Sequence, residues 1–326
     1  MLACLSRVGI NGPGVTGNKM SYHLATYQSH RGPRSAIMVN DAVFDLEEVT
    51  AVPNYDTVLG VLADWDSADK LLRNVSKDLG KKQPLSHVKL LAPVHYPTTI
   101  YGAGANYVDH VRRMAEILGL PPDPDPHTVG LKPWHFIKPS HCAVGTGAGV
   151  PIETDTMDWE VELAAVIGRT ARNVSVADAL NYVAGYTVAN DLSARGLTVR
   201  PHLAPNSPFK YDWIGQKVFE GSCPLGPWIV PARDIPNPQN LRIKLTVNGQ
   251  LRQDSSTSMM IFSIAEQIAH LSSCVELRPG DVILTGTPSG VGAETKEFLK
   301  SGDVVTAEVE SIGVLTTVIL NSGVAP

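Results

Sequence analysis

The chain is 326 residues long, 43% hydrophobic and 18% charged, with 27 basic against 32 acidic residues and a formal net charge of −5. That composition excludes a disordered chain, and the lack of a basic block argues against nucleic acid as the main partner. No apolar stretch approaches the ~20 residues that cross a bilayer, and the length allows about two domains.

Residues 1–19 lack the charged-then-apolar layout of a signal peptide and read as an N-terminal extension or an upstream start. A small N-terminal α+β domain follows over 20–95. Its first strand is expected at 21–27, and strands at 35–39 and 43–45 flank Asn40-Asp41, a hairpin signal. Residues 57–65 and 67–79 carry helical spacing, the second led by Ser67 as N-cap. The polar run Lys81-Lys82-Gln83-Pro84 reads as surface loop before the chain crosses into a larger region, 96–326.

That region is rich in strands broken by Gly and Pro. Strands are predicted at 98–101, 159–167, 182–190, 228–231, 242–247, 304–310 and 313–319, with Asn248-Gly249 as a second hairpin turn. Short helices are predicted at 107–118, 176–180 and 264–271, and the proline-rich residues 119–130 form a loop that could act as a lid. Without regular βαβ alternation, a strand-dominated α+β fold, a mixed β-sandwich or barrel-like arrangement, is favoured over a doubly wound sheet.

Glu160-Val161-Glu162 opens the apolar run Leu163-Ala164-Ala165-Val166-Ile167, and Asp191 follows 29 residues after Glu162. In a strand, Glu160 and Glu162 project from one face about 7 Å apart. Two carboxylates on a buried face repel each other and are costly to desolvate, and a divalent cation is the simplest compensation. Asp191, at the end of a second apolar run, could supply a third oxygen. Three carboxylates suit Mg²⁺ or Mn²⁺ better than Zn²⁺. The plain alternative is a pair of solvated charges at a strand edge.

Gly102-Ala103-Gly104-Ala105-Asn106 lacks the third glycine of a dinucleotide fingerprint, since Tyr107 stands at the sixth position. Thr285-Gly286-Thr287-Pro288-Ser289-Gly290-Val291-Gly292 lacks the Gly-Lys-Ser/Thr of a P-loop and reads as a turn offering hydroxyls and N–H groups to a small anion. The four cysteines are scattered and read as free thiols of a reducing, cytoplasmic setting, with Cys223 structural. His110, Arg195 and Lys217 would each be ordinary alone, but beside three carboxylates they could hold an anionic, metal-bound substrate.

These segments together resemble the fumarylacetoacetate hydrolase family, whose members hydrolyse acylpyruvates and related 1,3-dicarbonyl acids. The resemblance rests on Asn106-Tyr107-Val108-Asp109-His110, Phe136-Ile137-Lys138-Pro139-Ser140, Asp158-Trp159-Glu160-Val161-Glu162-Leu163 and Asn190-Asp191-Leu192-Ser193-Ala194-Arg195. Lys217 with Cys223–Trp228, and Pro279-Gly280-Asp281 running into 285–292, complete it in the family's order. It implies the family's C-terminal fold behind a small N-terminal domain. By the same resemblance Glu160, Glu162 and Asp191 are Mg²⁺ ligands, with Mn²⁺ an option, and His110 activates water. Lys217 stabilises negative charge, Arg195 joins that constellation, and Thr287 binds the substrate carboxylate.

Three positions depart from the family pattern. Arg113 stands where a glutamate usually follows the histidine, Gly196 replaces an aspartate, and Met259 replaces another. Glu116 is an imperfect stand-in, since six residues on a helix is roughly 240° of rotation. Arg113 could bind a second acidic group of the substrate, or be a solvent-facing helical charge. The resemblance implies a C–C bond hydrolase of a small 1,3-dicarbonyl or 2-oxo acid, of the type used in aromatic compound catabolism, working as a homodimer. Decarboxylase, isomerase or dehydratase chemistry on the same enolate is the alternative, and a non-catalytic metabolite-binding homologue the second. Residues 119–130, Arg113, Arg200 and His202 would set specificity.

Overall fold

A computed structural model describes residues 22–322; the expected extension at 1–19 lies outside them. Strands β1 (His23–Ser29), β2 (Gly32–Val39) and β3 (Ala42–Asp45) form a meander. The hairpin turn falls at Asn40-Asp41, with φ of 49° and 65°, the left-handed pair a tight two-residue turn requires. Helix α1 (Leu46–Thr50) is capped by the Asp45 carboxylate and α2 (Val58–Ala63) by the Thr57 hydroxyl. Helix α3 (Trp65–Val75) starts two residues before the expected Ser67 cap and stops short of 79. Its buried stripe is Trp65, Ala68 and Leu72, so the helix must begin early enough to include Trp65.

The larger region continues with β4 (Ile100–Gly104), α4 (Val108–Leu118), β5 (Trp134–Lys138), β6 (Ala143–Val144), β7 (Ala148–Pro151) and β8 (Met157–Asp158). Next come β9 (Val161–Ile167), β10 (Val183–Asn190), β11 (Ser193–Ala194), α5 (Trp213–Lys217) and β12 (Cys223–Pro231). The chain closes with β13 (Arg242–Val247), β14 (Gln250–Ser256), α6 (Ile264–Cys274), β15 (Val282–Leu284), α7 (Gly292–Thr295), β16 (Val304–Val309) and β17 (Gly313–Leu320). The helix expected at 176–180 is instead a 3₁₀ turn at Ala179–Tyr182. The strand expected at 228–231 begins at Cys223, and β5, β7 and β15 are strands the pattern did not signal.

Ten strands form one sheet, in the order β3-β2-β1-β12-β10-β9-β15-β4-β5 with β6 beside β12, and a second sheet runs β14-β13-β16-β17-β7. Neither sheet closes on itself, so the strand-dominated α+β expectation is realised as an open, sandwich-like arrangement without a barrel among the described residues. Strand β9 explains the layering. Val161, Leu163, Ala165 and Ile167 pack with Ile243, Leu245, Val305 and Leu315 of the second sheet, whereas Ala164 and Val166 pack with Val61, Leu62 and Trp65 of the N-terminal helices. Both faces of β9 are covered, which is why its sequence runs apolar apart from Glu162.

The glycines of the Gly102-Ala103-Gly104 segment have a packing role. Gly102 lies opposite Phe136 and Gly104 opposite Trp134 across the β4–β5 pair. A Cβ at either glycine would sit 2.4 Å from the Phe136 ring or 1.5 Å from the Trp134 ring. The aromatic rings fill the space that side chains would take.

Candidate active site

The antiparallel register of β9 and β10 pairs Glu162 with Ala189 and Val161 with Asn190. Asp191, one residue past β10, therefore arrives beside Glu160, and its N–H donates to the Glu160 carbonyl at 2.9 Å. Glu160, Glu162 and Asp191 are all buried, and one oxygen from each lies within 4.8 Å of the others. Expected as a ligand set, they are brought together.

Three cations surround them. The Lys217 ammonium, at the end of α5, donates to Glu160 Oε2 at 2.9 Å, Asp191 Oδ2 at 2.6 Å and Ser193 Oγ at 2.7 Å. Lys138, at the end of β5, is fully buried; its ammonium bonds Asp191 Oδ1 and the carbonyls of Ser222 at 2.9 Å and Leu192 at 3.2 Å. Arg195 joins Glu160 to Asp158, with Nε to Oδ2 at 2.8 Å. Asp158 is held in turn by the N–H groups of Gly292 at 2.6 Å and Ala293 at 3.0 Å. Lys217 also lies 5.0 Å from the centre of the Phe136 ring.

Glu162 stands apart. Its one hydrogen bond among the described residues comes from the Gly286 N–H. Gly286 has φ of 99°, and a Cβ there would lie 2.8 Å from Asn106 Cβ; the position needs glycine to bring that N–H onto the carboxylate. Burial raises the Glu162 carboxyl well above the usual range, and the neighbouring charges of Asp191 and Glu160 add to it. Glu160 moves the other way: burial would raise it, but Lys217 and Arg195 outweigh that and lower it. Burial would likewise lower Lys217, but Asp191 and Glu160 raise it.

The cluster fits a divalent cation. Glu160, Glu162, Asp191 and Asp158 stand among three cations, the close donors are all hard oxygens, and Glu162 makes no ion pair among the described residues. The Tyr107 hydroxyl, buried without a hydrogen-bond partner among the described residues, feels the Glu162 charge as well.

His110 lies in the first turn of α4. Asn106, just before the helix, accepts from the Phe262 N–H at 2.9 Å and donates to the Thr285 carbonyl at 2.8 Å. Asp109 accepts from Ser255 Oγ at 2.8 Å, so the helix start is pinned from two sides. His110 Nδ1 is 2.7 Å from Glu294 Oε1, and a protonated His110 would help lower Glu160. Thr287 Oγ1 donates to the Val161 carbonyl at 2.9 Å and accepts from Gln253 at 2.9 Å; as arranged, its hydrogen does not point to a substrate. Arg113 is not brought to the cluster: its guanidinium bonds Glu116 at 3.2 Å, with both side chains more than half exposed. Arg200 pairs with Asp212 at 2.6 Å.

Two residues of this arrangement, Lys138 and Glu294, escaped sequence reasoning. Lys138 had a usable signal, a lysine closing an aromatic strand on the same parity as Phe136. Glu294 had none, since it meets His110 across 184 residues. Cys142, Cys223 and Cys274 are free, as expected, while Cys4 lies outside the described residues. Burial pushes the Cys223 thiol up to about 12, in keeping with a structural role.

The profile described as "Fumarylacetoacetate (FAA) hydrolase C-terminal" matches residues 99–320. The human protein "Oxaloacetate tautomerase FAHD2B, mitochondrial" is 40% identical over 236 residues, 71% of this chain and 69% of its own. Among solved structures, the fumarylacetoacetate hydrolase from psychrophilic Exiguobacterium antarcticum superposes with a TM-score of 0.75 at 28% identity, covering 92% of this chain and 100% of its own. A maleylpyruvate hydrolase from Sphingobium sp. SYK-6, in complex with manganese(II) ion and pyruvate, gives a TM-score of 0.68 at 25% identity over 92% of this chain and 99% of its own. No helix of the described residues is long and apolar enough to cross a membrane.

Proposed function

The chain belongs to the fumarylacetoacetate hydrolase family, and from that premise we propose a divalent-metal-dependent enzyme of small 2-oxo acids, with keto–enol tautomerisation of an oxaloacetate-like dicarboxylate as its leading reaction. The observation that carries this reading is the cluster of Glu160, Glu162 and Asp191, buried, mutually close and short of positive charge. Magnesium or manganese held by these three would supply a Lewis acid for the carboxylate and keto oxygens of a 2-oxo acid. Lys217, oriented by Glu160, Asp191 and Ser193, adds a fixed positive charge for the enolate. His110 carries the proton, taking it from the carbon beside the keto group and returning it to the enol oxygen. The 40% identity to a protein named oxaloacetate tautomerase supports this choice among the family's reactions.

A second reading is C–C hydrolysis of an acylpyruvate, favoured by the likeness to a maleylpyruvate hydrolase and by a histidine already paired with a carboxylate. There His110 would take a proton from water, which attacks the distal carbonyl, and the expelled enolate would meet Lys217. A homodimer stays within either reading, and light scattering on the purified chain reads it directly.

The deciding experiment follows enol absorbance of oxaloacetate and of an acylpyruvate panel in the ultraviolet, with Mg²⁺, with Mn²⁺ or with a chelator. Accelerated relaxation of oxaloacetate enol, lost with chelator and without release of CO₂, is expected. Metal-dependent cleavage of an acylpyruvate to pyruvate and a free acid, with no effect on oxaloacetate, would hand the assignment to the hydrolase.

A further inference from the structure

His110 projects from the first turn of α4, and its Nδ1 lies 2.7 Å from Glu294 Oε1. The other Glu294 oxygen accepts from Ser289 Oγ at 2.8 Å and from the Gly290 N–H at 2.8 Å. Two donors from the preceding loop therefore hold this carboxylate and aim its free oxygen at the imidazole. The Glu294 side chain is 3% exposed and that of His110 16%, so the contact is largely shielded from water. An ionised carboxylate only accepts, so the proton of a neutral His110 must sit on Nδ1, which leaves the Nε2 lone pair free.

We propose that Glu294 is the positioning residue for His110: it fixes the Nδ1–H tautomer, holds the ring, and stabilises the imidazolium formed when Nε2 takes up a proton. The proposal rests on His110 being the proton carrier of the function above. Position 113, one turn along α4, does not fill this role, because its arginine is turned to Glu116 and solvent. The partner comes from the loop that also supplies the Gly286 N–H to Glu162. One segment, 285–294, thereby sets both a metal-ligand carboxylate and the base.

The test is Glu294→Gln, which keeps the side chain's shape and removes its charge. Wild-type and variant protein are compared by steady-state kinetics, Mn²⁺ titration and ¹⁵N spectroscopy of the histidines. A fall in kcat of about 10–100-fold is expected, with KM and Mn²⁺ affinity within about twofold of wild type. The His110 Nδ1–H resonance should lose its strong hydrogen-bond shift. The double variant Arg113→Glu/Glu294→Gln places a carboxylate at i+3 on α4, within reach of the same ring, and should recover part of kcat. Unchanged kcat and an unchanged His110 tautomer in Glu294→Gln would overturn the proposal. So would loss of Mn²⁺ affinity alongside kcat, which would make Glu294 a support of the whole site. A wild-type protein that turns over nothing would defeat the functional reading alone, since the ¹⁵N comparison still reads whether Glu294 sets the tautomer.

Discussion

Two buried charge clusters in this molecule are built on opposite plans. In the N-terminal region Asp45 is saturated: Oδ1 accepts from Arg34 Nη2 at 2.8 Å and from the Glu48 N–H at 3.1 Å, while Oδ2 accepts from Arg34 Nε and from Tyr27 at 2.7 Å. Burial would raise the Asp45 carboxyl, but Arg34 and Tyr27 outweigh it and lower it. Glu162, as deeply buried, accepts one N–H and faces two like charges. A buried carboxylate whose partners are all its neighbours serves the fold. One left short of positive charge is poised for something the chain does not itself provide.

Mutation should separate the two plans, most strongly at Asp45. Asp45→Asn retains the helix cap but leaves the buried Arg34 paired with Glu47 alone among the described residues, and should cost about 3 kcal/mol, read as a drop in the denaturation midpoint. Glu162→Gln should do the reverse: with chelator present its melting temperature rises above wild type, because a repelling buried charge is gone. Its metal-dependent turnover should fall by about 100-fold or more, some 2.7 kcal/mol, and full activity would sink the metal-site assignment. Acid distinguishes them again. Asp45, with a lowered folded value, contributes stability present above its unfolded value and lost as pH falls through the folded one. Glu162, with a raised folded value, is a burden at neutral pH that eases on acidification. Thermal melts of the metal-free protein from pH 7 to pH 4 should show Glu162→Gln converging on wild type. The smallest effect is expected at Arg113→Ala, where an exposed pair contributes about 0.3–0.5 kcal/mol and turnover should stay within twofold. A larger loss would bring Arg113 back as a substrate contact.

The buried carboxylate cluster was legible because strand periodicity and like-charge repulsion both act over a few residues, and Glu160-Val161-Glu162 carries both signals. The hairpins at Asn40-Asp41 and Asn248-Gly249 were legible for the same local reason, their turn residues taking positive φ as required. What could not be read was set at long range. The start of α3 follows Trp65 burying against β-sheet residues such as Val166 and Ala184, not the cap preference of Ser67. The three residues of β15 are too few to show a period. The His110–Glu294 pair has no local signature, since the carboxylate that meets the imidazole stands 184 residues away and not at position 113.

The pairing of β1 with β12, Leu24 opposite Ile229, makes the N-terminal meander part of the sheet that carries Glu162 and Asp191. Its helices cover Ala164, Val166 and Ile229 on that sheet's face. A fragment cut at residue 96 would therefore uncover the β12 backbone at Ile229 beside a bare aliphatic surface, the combination that seeds strand-to-strand aggregation. Residues 22–95 thus cover an edge and a face through which cut copies of the chain could pair.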